Sequence, residues 1–156
     1  MEQTALVIHG HFYQPPCENL WTGEIGEQSG ARPFRDWNER IHFECYRPNA
    51  FARILDPEGR VERILNNYAG LSFNFGPALL AWLERHHPAT YARVLRADAE
   101  SARARSGHGN AIAQGFHHAT LPLCNERGRR GRERALTVVS TPGALAVGLV
   151  GESSGV

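Results

Sequence analysis

Four consecutive apolar residues, Ala5, Leu6, Val7 and Ile8, run directly into His9-Gly10-His11-Phe12-Tyr13-Gln14-Pro15. An unbroken apolar run of this length predicts a strand over residues 4–12 that is buried on both faces, as in parallel sheets covered by helices. In such sheets and barrels, ligands bind at the carboxyl ends of the strands. That is where the polar residues begin here. Side chains alternate along a strand with period two, so His9 and His11 share a face. Two imidazoles and the Gln14 amide at a strand end suit the polar floor of a pocket. A metal pair or satisfied core histidines fit the same residues equally well, and no HExxH-like spacing adds further ligands.

Residues 13–47 carry Pro15-Pro16, Gly23, Gly26, Gly30 and Pro33. They read as a long irregular loop, and its Trp21, Phe34, Trp37 and Tyr46 argue against disorder. Pro48 suits a first helical position, and Phe51, Ile54 and Leu55 follow at helical spacing. Asp56-Pro57 and Gly59 would end that helix. Leu71, Phe73 and Phe75 alternate with Ser72 and Asn74 and predict a short strand. Pro77 should open a helix that breaks at His87-Pro88. A longer helix should follow, with Tyr91, Val94, Leu95 and Ala102 along one stripe and Gly107 as its terminator. This order of strand, helix, strand and helices predicts an α/β fold.

Composition excludes several partners. The chain of 156 residues, with 17 Lys plus Arg against 16 Asp plus Glu, has a formal net charge of +1. That balance points to neither nucleic acid nor a membrane surface. The cations are all arginine. Cys17, Cys45 and Cys124 form no CxxC pair, so no zinc ribbon or redox motif is expected. The first residues hold no charged segment followed by a long apolar run, so neither a leader nor a membrane span is expected and a cytoplasmic location is. Residues 127–134 pack five arginines around two glycines, and residues 135–156 are small and apolar. The shift predicts one domain over residues 1–126 and an atypical tail over residues 127–156.

Two further clusters hold candidate site residues. Asp36-Trp37-Asn38-Glu39-Arg40 is the mixture that sugar sites use. The Trp37 face would cover the C–H side of a pyranose, while carboxylate, amide and guanidinium groups such as Glu39 would bind hydroxyls. A tryptophan that merely anchors a loop has the same composition. Gly107-His108-Gly109-Asn110 precedes His117-His118. It lacks the remaining glycine of a dinucleotide fingerprint and follows a helix, so no nucleotide cofactor is expected. Retaining glycosidases need two carboxyls about 5 Å apart. None of Glu18, Glu24, Glu27, Asp36, Glu39 and Glu44 is marked by its neighbours as that pair.

Taken in order, these segments resemble the N-terminal part of glycoside hydrolase family 57, most of all an uncharacterised bacterial branch. The resemblance rests on His-Gly-His-Phe-Tyr-Gln-Pro-Pro at 9–16, Trp-Thr-Gly-Glu-Ile at 21–25 and Asp-Trp-Asn-Glu-Arg-Ile at 36–41. It continues through Glu-Cys-Tyr-Arg-Pro-Asn at 44–49, Asn-Asn-Tyr at 66–68, Leu-Ser-Phe-Asn-Phe-Gly-Pro at 71–77, Gly-His-Gly-Asn-Ala-Ile-Ala-Gln at 107–114 and residues 118–123. It implies the N-terminal portion of an incomplete (β/α)7 barrel, retaining chemistry on α-glucans or related oligosaccharides, and no obligatory metal or cofactor. By resemblance, His11, Gln14 and Pro15 fall on the first conserved region, beside the cleaved bond, and His118 on the second, also facing substrate. Many relatives carry Glu where Asn110 stands here. The implied substrate-binding set is His9, His11, Gln14, Trp37, Glu39, Asn110 and His118. The nucleophilic Glu and the acid Asp are expected downstream of Leu123, and Glu126, Glu133 and Glu152 sit in no such context. A frameshift or truncation near residue 127 is therefore expected, with no activity from the chain alone. A sugar-binding pseudoenzyme is one alternative. A metal-dependent carbohydrate deacetylase built on His9, His11 and His118 is another.

Overall fold

The computed structural model describes residues 4, 6–19, 21–112, 114–115, 125–126, 135–138 and 146–149. Its frame is a pair of short parallel strands, β1 (His9–Phe12) and β4 (Ser72–Phe75), with His9 opposite Ser72, His11 opposite Asn74 and Phe12 opposite Phe75. On its other edge β4 is bonded through the Phe73 main chain. Its N–H donates to the Asn110 carbonyl at 3.0 Å, and its carbonyl accepts from the Ile112 N–H at 2.8 Å, in a parallel bridge to Ala111. Three segments thus lie side by side in chain order and point the same way, as expected where helical crossovers link parallel strands. Among the described residues they do not close into a barrel.

The helices that cover this frame follow from local sequence. Gly76-Pro77 opens α3 (Pro77–His86), where proline's missing N–H costs nothing. Leu79, Leu80, Trp82 and Leu83 recur at helical spacing and are buried. The break at His87-Pro88 restarts the chain as α4 (Pro88–Ala104). Gly107 adopts a positive φ of 92°, and its N–H returns to the Ala102 carbonyl at 2.8 Å, which closes the helix. The buried stripe of α4 is Thr90, Val94, Ala97, Asp98 and Ser101. It is more polar than the expected Tyr91, Val94, Leu95 and Ala102 stripe, of which only Val94 is fully buried.

Three expectations are corrected. The first strand is shorter than residues 4–12. Leu6, Val7 and Ile8 are 87%, 79% and 61% exposed, so they precede the sheet and are not covered on both faces. The second concerns residues 13–47, whose last part is helical. Asp36 caps α1 (Trp37–Ile41), its Oδ1 accepting from the N–H groups of Asn38 at 2.9 Å and Glu39 at 3.0 Å. One wide turn (His42–Tyr46), with the Arg47 N–H on the His42 carbonyl, then leads into α2 (Arg47–Ala50). Pro48 has no N–H to give the Glu44 carbonyl and its ring crowds that oxygen, so an expanded turn just upstream is where the strain is taken up.

The third correction is that the helix expected beyond Pro48 stops at Ala50. Ala52–Leu55 and Val61–Leu65 form an antiparallel hairpin, β2 and β3. Asp56 organises its turn by accepting from the N–H groups of Glu58 and Arg60, and Gly59 supplies the left-handed residue. Beyond the frame, β5 (Gln114–Gly115), β6 (Ala135–Val138) and β7 (Ala146–Leu149) pair antiparallel in that order.

The core is aromatic. Phe12 stacks on Phe75 with centroids 4.8 Å apart, and Tyr68 meets Phe12, Phe73 and Phe75 at 5.3–5.6 Å. Such pairs add to the stabilisation from area burial alone. Phe73→Ala should therefore cost about 3–5 kcal/mol. Ile64→Ala, on the exposed hairpin, should stay within about 0.5 kcal/mol. Urea unfolding of both variants checks the contrast, and equal costs would place the core elsewhere.

Candidate functional site

The strand register sorts side chains onto two faces. Phe12, Phe73 and Phe75 point into the aromatic core, and His9, His11, Ser72 and Asn74 share the opposite face. His9 Nδ1 lies 2.9 Å from Ser72 Oγ, and His11 Nδ1 lies 2.8 Å from Asn74 Oδ1. The amide oxygen can only accept, so His11 donates its Nδ1–H to it. The expectation that His9 and His11 face the same way holds. Tyr13 follows, its ring packed on Gly76 so closely that an added Cβ would come within 2.7 Å. Gly76 therefore lets the first residue beyond β1 fold over the end of β4. Gln14 Oε1 accepts from the Tyr46 hydroxyl at 3.0 Å. The next segment is tied to α1, because Asn38 Nδ2 donates to the Pro16 carbonyl at 2.8 Å. That bond brings the start of α1 to the loop that leaves β1, while the Trp37 ring lies beside Gly30. Trp37 is 41% exposed, with the Arg40 guanidinium 4.9 Å from its ring centroid.

Other sequence candidates have different surroundings. Asn110 is 3% exposed, and its Nδ2 donates to the carbonyls of Tyr68 at 3.1 Å and Ala69 at 2.7 Å. Its Oδ1 accepts from Arg105, and its N–H donates to Ser101 Oγ. These bonds seat the third parallel segment on α4, together with the Ala111 N–H donated to Asp98 Oδ1 at 2.8 Å. Burial pushes the Asp98 carboxyl up, against the two main-chain donors it accepts from. Glu18 pairs with Arg85, Glu27 with Arg32 and Glu44 with Arg40, while Asp36 is the helix cap. His118 lies outside the described residues.

Glu39 leads to a cluster that the sequence reading did not assemble. Both of its carboxylate oxygens lie 3.1 Å from His87 Nε2. The His87 ring stacks on His42, with centroids 3.5 Å apart and planes 16° from parallel. His42 Nε2 is 2.9 Å from Thr90 Oγ1. Ligating atoms of Glu39, His42 and His87 all lie within 4.8 Å of one another. Burial, then the neighbouring His87, then Arg47 hold the His42 imidazole down to about 4, so it is neutral near pH 7. Glu39 and His42 stand three apart in sequence, the spacing that puts two residues on one helix face. That signal was readable. The approach of His87 from the α3–α4 junction was not.

No family model, curated protein or solved structure matches the chain. No helix among the described residues is long and apolar enough to cross a membrane.

Asn110→Ala should cost about 1–3 kcal/mol, because it strands the buried Tyr68 and Ala69 carbonyls. Thermal unfolding tests this, and an unchanged melting temperature would show that Asn110 does not hold those carbonyls.

Proposed function

We propose that this chain carries the substrate-holding face of a family 57-type glycoside hydrolase barrel and binds α-glucan oligosaccharides without cleaving them. One observation carries the reading. The parallel register of β1 and β4 collects His9, His11, Ser72 and Asn74 on the non-core face, and β1 then runs into the loop that Asn38 ties to α1. Sugar recognition needs this mixture of planar polar groups for hydroxyls and an aromatic ring for the C–H face. His11 offers an imidazole held by Asn74, and Trp37 offers an exposed aromatic ring.

Turnover by double displacement needs a nucleophile and an acid facing each other across the scissile bond. Most of the carboxylates weighed above, Glu18, Glu27, Asp36, Glu39 and Glu44, are committed to arginine, histidine or main-chain partners. Glu24 lies on an exposed turn.

Calorimetry of the full chain against maltooligosaccharides should show saturable binding. His11→Ala and Trp37→Ala should each weaken it tenfold or more, equivalent to about 1.4 kcal/mol. Reducing-sugar assays should stay at the buffer level. Undiminished affinity in both folded variants would remove the proposed subsite, and release of reducing sugar would overturn the absence of turnover.

A further inference from the structure

We propose that Glu39, His42 and His87 form a binding site for one divalent transition-metal ion of the zinc class, separate from the β1–β4 sugar face. The donor set is two imidazoles and one carboxylate, which suits zinc and its neighbours and leaves a coordination position for water or an exogenous ligand. The three groups come from two rigid places. Glu39 and His42 stand on one face of the helical stretch that Asp36 caps, and His42 begins its wide turn. His87 joins α3 to α4, with φ −135° and ψ 60°, its N–H on the Leu83 carbonyl and its own carbonyl accepting from the Thr90 and Tyr91 N–H groups. Ligating atoms already gathered within 4.8 Å need only side-chain rotation to reach a common ion at about 2.0–2.1 Å.

The arrangement also supplies what a bare cluster lacks. Metal-bound histidines hand their second ring nitrogen to a fixed partner. His42 has that partner in Thr90, and donating Nε2–H to the hydroxyl leaves its lone pair on Nδ1. His42 is buried, and its ring is walled by Trp82 at 6.3 Å, so little rotamer freedom remains to be lost on binding. His87 is the moving ligand. Stacked on His42, its lone pairs run alongside those of the other ring and do not converge with them. Metal entry turns the His87 ring out of the stack, and the carboxylate that held its Nε2 becomes the third ligand. No bond to carbon forms or breaks, and any proton on His87 passes to solvent.

The test uses the full chain, stripped of metal by chelator and dialysed near neutral pH, then titrated with zinc chloride in a calorimeter and with cobalt chloride in a spectrophotometer. Expected are one zinc ion per chain, a visible cobalt band of low-symmetry coordination and a raised melting temperature with zinc. Magnesium, which prefers oxygen ligands, should bind far more weakly. Glu39→Gln and His87→Gln, both at half-buried positions and checked for native circular dichroism, should each weaken zinc tenfold or more. Thr90→Val should weaken it about 10–100-fold through the lost orientation of His42. His9→Gln with His11→Gln should leave zinc affinity unchanged. The proposal is overturned if wild-type protein gives neither heat nor a cobalt band. It is overturned equally if binding survives in the Glu39 and His87 variants and vanishes in the His9/His11 double variant.

Discussion

Strand β4 is hydrogen-bonded on both edges, and much of the described structure follows from that double pairing. The neighbours of Phe73 in β4 meet β1, and Phe73 itself meets residues 110–112. A strand enclosed this way has no freedom of register, because a slip of one residue would send Phe73 and Phe75 to the polar face and Ser72 and Asn74 into the aromatic core. The same alternation that buries Phe73 and Phe75 therefore holds Asn74 against His11. Core and candidate site are two faces of one constraint.

That constraint is held in place by polar groups where apolar ones are usual. The buried side of α4 presents Asp98 and Ser101 to the main chain of residues 110 and 111, and Asn110 returns its amide to Tyr68 and Ala69. An apolar stripe would bury more area but would leave those N–H and C=O groups without partners, at a cost of about 1–3 kcal/mol each. The third parallel segment is thus attached to the helix by directional bonds. Its position is specified more sharply than packing alone would specify it.

What could be read from the sequence was local. The alternation of Leu71, Phe73 and Phe75 gave β4, and the prolines at 77 and 88 with Gly107 gave the limits of α3 and α4, because each signal acts within a few residues of itself. The apolar run at 5–8 misled, since burial on both faces is a property of neighbours and the run itself does not contain them. By local sequence, Asp56-Pro57-Glu58-Gly59 reads as the stop of a helix. The same residues serve a hairpin turn, and only the pairing of Ile54 with Arg63 distinguishes the two. Asp36 followed three residues later by Glu39 is a helix-start spacing, although the composition around it resembles a sugar site. For the polar clusters, the shared face of His9 and His11 follows from strand periodicity. The meeting of His42 with His87 depends on the α3–α4 break folding back onto the wide turn, a contact spanning 45 residues that no local pattern encodes.

The wide turn at His42–Tyr46 explains how one helical stretch can serve two sites. A regular helix from Trp37 to Ala50 would have to form a bond that Pro48 cannot make. Taking up one extra residue in the turn before the proline rotates everything downstream relative to everything upstream. Glu39 and His42 lie at or before the turn and look towards His87 and Thr90, while Tyr46 lies at its end, packs on Phe12 and Phe75, and gives its hydroxyl to Gln14. Straightening the turn would keep one set of contacts and lose the other. Pro48 therefore links the β1–β4 face to the Glu39–His42–His87 cluster through the turn it imposes.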